Sequence, residues 1–210
     1  MKLYESPISG HAHRARAFLL LLGVPFESVV VDLLNGEHRG PEFLAINPLG
    51  QIPVLVDGDT VVRDSTAILV YLALSHDPER TWLPQDPGLA AQVQSWLSIS
   101  SRELWAGPSS ARLVKLFGAK IDHERALSTA DTVLGSLFEP HLADQKWLVG
   151  SRPTIADVAC YSYIRVAPEG GVSLEPYPNV RAWLDRLEAL PGFDPMPAAA
   201  DLLASGTGEP

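Results

Sequence analysis

The sequence predicts a chain in two parts: an α/β part ordered βαβ then ββα, and an all-helical part after it. Three observations carry this reading. Short apolar, β-branched runs alternate with helical stripes as far as Ser75, strand signals then cease, and a stretch holding Pro78, Pro84 and Pro87 separates the two regimes. The boundaries that follow are 1–77 for the α/β domain, 78–88 for a linker and 89–210 for the helical domain.

Leu3-Tyr4 reads as the first strand. Ala15, Phe18, Leu19 and Leu22 give a helical stripe that Gly23 ends. Phe26–Val31 reads as a second strand, parallel to the first by the handedness and length of a βαβ crossover. An irregular segment is expected over Asn35–Gly50. Val54–Val56 and Thr60–Val62 are short strands with the hairpin signal Asp57-Gly58 between them. Asp64 and Ser65 are suited to starting the periodic run Ile68, Leu69, Tyr71, Leu72. This order is the thioredoxin-like arrangement. Helices are then expected over Leu89–Phe117, with a kink or break at Gly107-Pro108, and over His123–Leu142, Ile155–Val166 and Val180–Leu190. Thr154-Ile-Ala-Asp157 has the spacing of a capping box. From Asp194 onward Pro, Ala, Gly and Ser dominate, and a loose tail is expected.

Composition narrows the function. A formal charge of −9 argues against a nucleic-acid partner, since phosphate backbones require a basic surface. The single cysteine, Cys160, excludes an internal disulfide, suits a reducing compartment, and sits in an apolar helix as a packed small hydrophobe. The densest apolar run, Phe18–Leu22, is too short to span a bilayer, and the N-terminus passes straight into a strand; a soluble cytoplasmic protein without a membrane partner is expected. Neither a metal-ligand spacing nor a phosphate-binding glycine loop is visible, so no metal is expected.

The densest functional signal is Asn47-Pro-Leu-Gly-Gln-Ile-Pro-Val-Leu-Val with Asp64-Ser65 shortly after it. A proline directly before a strand is awkward unless its geometry is used. A cis Ile52-Pro53 bond would turn the Ile52 backbone outward to pair with an extended peptide. The helix start at Asp64-Ser65 would offer amides to a carboxylate. Together these describe a site for a small peptide with a free α-amino-acid end. Asp64 could pair with the ammonium, Ser65 could receive the carboxylate, and Gln51 either reaches the same end or is a surface polar residue.

Three ordered motifs carry a family resemblance. Gly36-Glu-His-Arg-Gly-Pro-Glu-Phe-Leu-Ala-Ile-Asn-Pro-Leu-Gly-Gln-Ile-Pro, Asp64-Ser-Thr-Ala-Ile and Trp147-Leu-Val-Gly-Ser-Arg-Pro-Thr-Ile-Ala-Asp-Val together resemble the cytosolic glutathione transferases over nearly the whole chain. The resemblance implies glutathione as co-substrate, a small electrophile as second substrate, a detoxification-type transferase and a homodimer. It implies that Ser9, before the first helix in Ser6-Pro-Ile-Ser-Gly-His, donates a hydrogen bond to the glutathione sulfur, with Arg14 as the basic residue one turn onward. A plain N-cap serine is the alternative reading of Ser9. Tyr4, placed within a strand, reads as a packed tyrosine, and Ser6 beside Pro7 as a turn residue. His11 stands where some bacterial members carry Asn, and is either a second donor or a structural histidine. His38 resembles the residue that contacts the glycine carboxylate, with Arg39 as its rival. The run His11-Ala-His-Arg-Ala-Arg loads a helix start with basic groups and calls for a nearby anion or a solvated acid. No cysteine lies in the first domain, which disfavours thiol-transferase chemistry. Peroxide reduction or isomerisation by the same thiolate, and a non-catalytic binding scaffold, remain the alternative functions.

Overall fold

The computed structural model describes residues 1–205. They form two compact units, Met1–Pro78 with the residues from Pro191 onward, and Glu79–Leu190. In the first unit the strands are β1 (Lys2–Glu5), β2 (Glu27–Val30), β3 (Val54–Asp57) and β4 (Thr60–Arg63), in the spatial order β2-β1-β3-β4. β1 pairs parallel with β2, as the crossover through α1 (Gly10–Leu21) requires, and antiparallel with β3; the β3–β4 hairpin closes the sheet. Period-two alternation sorts the side chains. Tyr4, Val54 and Val56 cluster with Val31, Phe43 and Ile46 on one face, whereas Leu3 and Leu55 point the other way and are fully buried. α1 and α3 (Ser65–His76) pack on each other.

The segment expected to be irregular contains a 3₁₀ turn at Glu37–Arg39 and a short helix, α2 (Pro41–Ile46). Pro41 at its first position and buried Phe43 explain it: the proline sets a helical φ, and the one large apolar side chain is covered by Tyr4 at a ring-centroid distance of 6.2 Å. Six residues carry too little periodicity to be read as a helix without that partner.

The second unit contains α4 (Pro87–Ser101), α5 (Ser110–Phe117), α6 (His123–Val133), α7 (Glu139–Asp144), α8 (Ile155–Arg165) and α9 (Pro178–Glu188). The expected break at Gly107-Pro108 is a π turn over Trp105–Ser109, which absorbs the proline and lets the helical path continue into α5. Gly107 is obligatory there, because a Cβ would lie 2.8 Å from the Ala130 amide nitrogen. A second π turn, Leu134–Phe138, divides the helix expected over His123–Leu142. Trp96 and Leu104 are buried, while Trp105 and Phe117 are about two-fifths exposed. Cys160 is buried and lies 3.7 Å from the Trp96 carbonyl oxygen.

The capping box forms as expected and does more than cap. The Thr154 hydroxyl accepts from the Ala156 amide at 3.2 Å, and Asp157 Oδ2 accepts from the Thr154 amide at 2.8 Å. Asp157 Oδ1 also accepts from the Leu148 amide at 3.0 Å and the Trp183 indole at 2.9 Å. One fully buried carboxylate thus joins the loop before α8 to the start of α8 and the middle of α9. Burial pushes its carboxyl up, against these donors, which favour the anion.

The described part of the expected loose tail, Asp194–Ser205, groups with the first unit rather than the helical one, and residues 206–210 of that expectation lie outside the described residues. His13 Nε2 donates to the Asp194 carbonyl at 2.7 Å, Arg16 donates to the Asp194 carboxylate at 3.0 Å, and Phe193 meets His13 edge-on. Arg16 also pairs with Glu5, buried at 2% exposure, which accepts from Ser28 at 2.8 Å. The last described element is α10 (Ala199–Ser205). Within the described residues, no helix is long and apolar enough to cross a membrane.

Two stability predictions follow from these hubs. Asp157→Ala orphans three buried N–H donors and should lower unfolding free energy by at least about 3 kcal/mol in urea titration, against about 1 kcal/mol for Thr154→Ala. His13 is held down at about 4, first by burial and then by Arg16, against 6.5 unfolded. The unfolded chain therefore binds the extra proton between these values, so this contribution is intact above pH 6.5 and is lost as pH falls toward 4. The loss is on the order of 3 kcal/mol, and His13→Gln, which retains a donor for Asp194, should flatten the stability–pH curve by that amount.

Candidate active site

Strand register assembles the site. Val54 stands opposite Tyr4 on one side and Arg63 on the other, and Glu5 stands beside Val30. The segments just beyond these residues therefore leave the sheet at one end: Ser6–Ser9 after β1, His38 after β2, Gln51–Pro53 before β3, and Asp64-Ser65 after β4. Ser9, His38, Gln51, Ile52, Pro53, Asp64 and Ser65 lie in these segments and His11 in the first turn of α1, whereas Tyr4 lies within β1 and Arg14 one turn further along α1.

Ser9 is the N-cap of α1. Its hydroxyl oxygen accepts from the Ala12 amide at 3.3 Å, and its own amide donates to the Ser6 carbonyl at 3.0 Å. Accepting from the helix leaves the hydroxyl hydrogen available to a ligand. Ser6 is buried in the turn, and Tyr4 is packed against Phe43, in line with the structural reading of both.

Arg14, fully buried, ties the starts of two helices together. Its Nη1 donates to His11 Nδ1 at 3.1 Å and to Ser65 Oγ at 3.3 Å; His11 Nδ1 and Ser65 Oγ are themselves 3.3 Å apart. A guanidinium only donates, so His11 Nδ1 must accept, which puts the ring proton on Nε2. Burial first, and Arg14 second, lower the His11 pKa to about 3. His11 is therefore a neutral donor at physiological pH and brings no positive charge. Of the basic run at the start of α1, both histidines stay neutral and Arg16 is answered by Glu5 and Asp194.

Asp64 has φ +81, a conformation rare outside glycine. Its Oδ1 caps α3, accepting from the Thr66 and Ala67 amides at 2.8 and 2.9 Å and from the Thr66 hydroxyl at 2.6 Å. The cap holds the backbone in this strained turn, and the turn places Ser65, at 3% exposure, against His11 and Arg14. The Ile52-Pro53 bond is cis.

Asn47, not among the sequence candidates, organises the loop before that bond. Buried at 2% exposure, it donates from Nδ2 to the Gln51 carbonyl at 2.7 Å, accepts at Oδ1 from the Leu49 amide at 3.2 Å, and receives the Gly50 amide on its own carbonyl at 2.9 Å. An Asn-Pro pair opening a Leu-Gly turn was the available signal. Gly50, at φ +59, lets the His38 carbonyl approach to where a Cβ would lie at 2.9 Å, which seats the 3₁₀ turn on this loop. His38 Nδ1 is enclosed without a hydrogen-bond partner among the described residues. Gln51 is exposed, and no described residue group could hold a metal ion.

Residues 8–74 match the pattern of the glutathione S-transferase N-terminal domain, and residues 112–191 that of the glutathione S-transferase C-terminal domain. Glutathione S-transferase 3 of Zea mays is 35% identical over 96% of this chain and 95% of its own. The chain belongs to the glutathione S-transferase family. Among solved structures, a glutathione S-transferase from Pseudomonas fluorescens superimposes with TM-score 0.84 at 35% identity, covering 93% of this chain and 98% of the other. A glutathione transferase homologue from Lodderomyces elongisporus, solved with two glutathione molecules per subunit, gives TM-score 0.82 at 27% identity over 91% and 94%. Enzymes of this family conjugate glutathione to electrophiles.

Nitrogen-15 shifts of His11 should show a neutral ring protonated on Nε2 from pH 7 to 5, with no ionisation near 6.5. A charged ring at pH 6 would contradict the Arg14 contact as drawn.

Proposed function

We propose that this transferase binds glutathione at the sheet end described above and lowers its thiol pKa through Ser9. The observation that carries the proposal is the convergence of two helix starts, α1 with its Ser9 cap and α3 with Asp64-Ser65, on the segment around cis-Pro53. In this reading the γ-glutamyl carboxylate meets the Ser65 hydroxyl and the α3 amides, and the ammonium meets the Asp64 carboxylate. The cysteinyl backbone pairs with Ile52 ahead of Pro53. Gln51 reaches the γ-glutamyl end, and His38 reaches the glycine carboxylate.

The magnitudes suffice. A thiol of pKa ~8.5 is only a few per cent ionised at neutral pH, and lowering it by ~2 units needs about 2.7 kcal/mol. A hydrogen bond from the Ser9 hydroxyl to the charged sulfur contributes roughly 1.5–3 kcal/mol, and the α1 N-terminus up to ~1 kcal/mol. His11 adds a second neutral donor through Nε2. The thiolate then attacks a small electrophile: the sulfur lone pair forms the new bond, and the electrophile's leaving group or polarised π bond takes the displaced pair. A homodimer is proposed from the family alone; a monomer mass by light scattering would remove it.

Two variants separate chemistry from scaffolding. Ser9→Ala should return the bound thiol toward ~8.5 in ultraviolet titration and lower kcat/KM by about 10²-fold, while costing only about 1 kcal/mol of stability through the lost cap. An unshifted thiol pKa and unchanged turnover would remove Ser9 from its role. Asp64→Asn keeps the cap but not the charge, so KM for glutathione should rise about tenfold at nearly constant melting temperature. Unaltered KM would show that the ammonium is held elsewhere.

A further inference from the structure

Arg14 has no accessible surface, so it can act on a ligand only through side chains that it touches. Two of these are half-buried His11 and Ser65, which retains 3% exposure. Both contacts come from one nitrogen, Nη1, at 3.1 Å to His11 Nδ1 and 3.3 Å to Ser65 Oγ. The proposed function gives these neighbours opposite ends of glutathione, His11 the sulfur and Ser65 the γ-glutamyl carboxylate.

Hydrogen polarity decides what each neighbour can offer. A guanidinium only donates, so both atoms facing Nη1 must accept. On an imidazole the accepting nitrogen carries no proton, and the other nitrogen then presents Nε2–H. On a serine hydroxyl, an oxygen that already accepts sends its own hydrogen elsewhere. The acceptor at hand is His11 Nδ1, 3.3 Å from Ser65 Oγ. A ligand carboxylate is the stronger acceptor and would draw that hydrogen to itself. Arg14 thus leaves both neighbours as donors, and the thiolate and the carboxylate both require donors.

Without Arg14 that polarity is lost. The Ser65 oxygen could then accept from a proton on Nδ1 across the same 3.3 Å. That tautomer leaves a lone pair on Nε2 in place of an N–H, and a lone pair repels a thiolate. We infer that Arg14 is a positioning residue for the transfer reaction. Without touching glutathione, it fixes His11 as an Nε2–H donor to the sulfur and Ser65 as an O–H donor to the γ-glutamyl carboxylate. This role rests on the glutathione reading of the site. It differs from that of a cation acting on the sulfur through space, because its effect on the thiol requires His11.

The test combines nitrogen-15 NMR of the His11 ring with ultraviolet titration of bound glutathione, on the full-length protein and its variants. Arg14→Met, which keeps an unbranched stem but no donor, should move the His11 proton from Nε2 toward Nδ1. It should also raise the bound thiol pKa by about one unit and weaken glutathione binding about tenfold. Arg14→Lys, which still only donates, should keep the Nε2–H tautomer and recover most of both losses. In a His11→Ala background, Arg14→Met should change the thiol pKa no further while still weakening binding. In the unsubstituted protein, saturating S-methylglutathione should shift Nδ1 downfield as the Ser65 hydrogen leaves it, and Ser65→Ala should abolish that shift. This last arm holds whether or not Arg14→Met folds. An Nε2–H tautomer retained in Arg14→Met would overturn the inference. So would a full effect of Arg14→Met on the thiol pKa in the His11→Ala background, or an Nδ1 resonance indifferent to S-methylglutathione. Failure of glutathione to bind the unsubstituted protein would overturn the glutathione reading, and this inference with it.

Discussion

Val54 stands at the centre of three paired strands, opposite Tyr4 and Arg63 in one register, and the candidate active site depends on that alignment. A slip of one residue would turn Val54 to the other face and displace Pro53 relative to the end of β1. The register is protected by burial. Val54 and Leu55 are both fully enclosed, on opposite faces, so each one-residue shift would expose one apolar set and bury the other wrongly. Function here rests first on ordinary sheet packing.

On that frame the polar groups are arranged by mutual satisfaction. Arg14 sets the tautomer of His11 and orients Ser65; Asp64 caps α3 while it holds the turn that presents Ser65; Asn47 shapes the loop before Pro53. Each residue thus serves structure and site together. A neutral His11 follows from this arrangement, and it means that the helix starts and hydroxyls, not an imidazolium, would stabilise an anion there.

The helical unit uses the same economy at a different place. Asp157 collects donors from three segments on one buried carboxylate.

Much of this protein was legible in the sequence. Periodicity two against 3.6, the Asp57-Gly58 turn, the loss of strand signals after Ser75 and the Thr154–Asp157 spacing are local properties, and they determined the βαβ-ββα order and the helical part that follows. The Asn47–Pro53 and Asp64-Ser65 motifs located the candidate site for the same reason: turns and caps are written in adjacent residues. Tertiary structure alone decided the rest. α2 exists because Phe43 finds Tyr4; the π turn at Pro108 lets the helix continue where the proline signalled a break; Asp194 is held by His13 and Arg16, about 180 positions earlier in the chain. The protonation state of His11 likewise depends on its burial and on Arg14. Burial and long-range partners set these outcomes, and neither is encoded within a window of neighbouring residues.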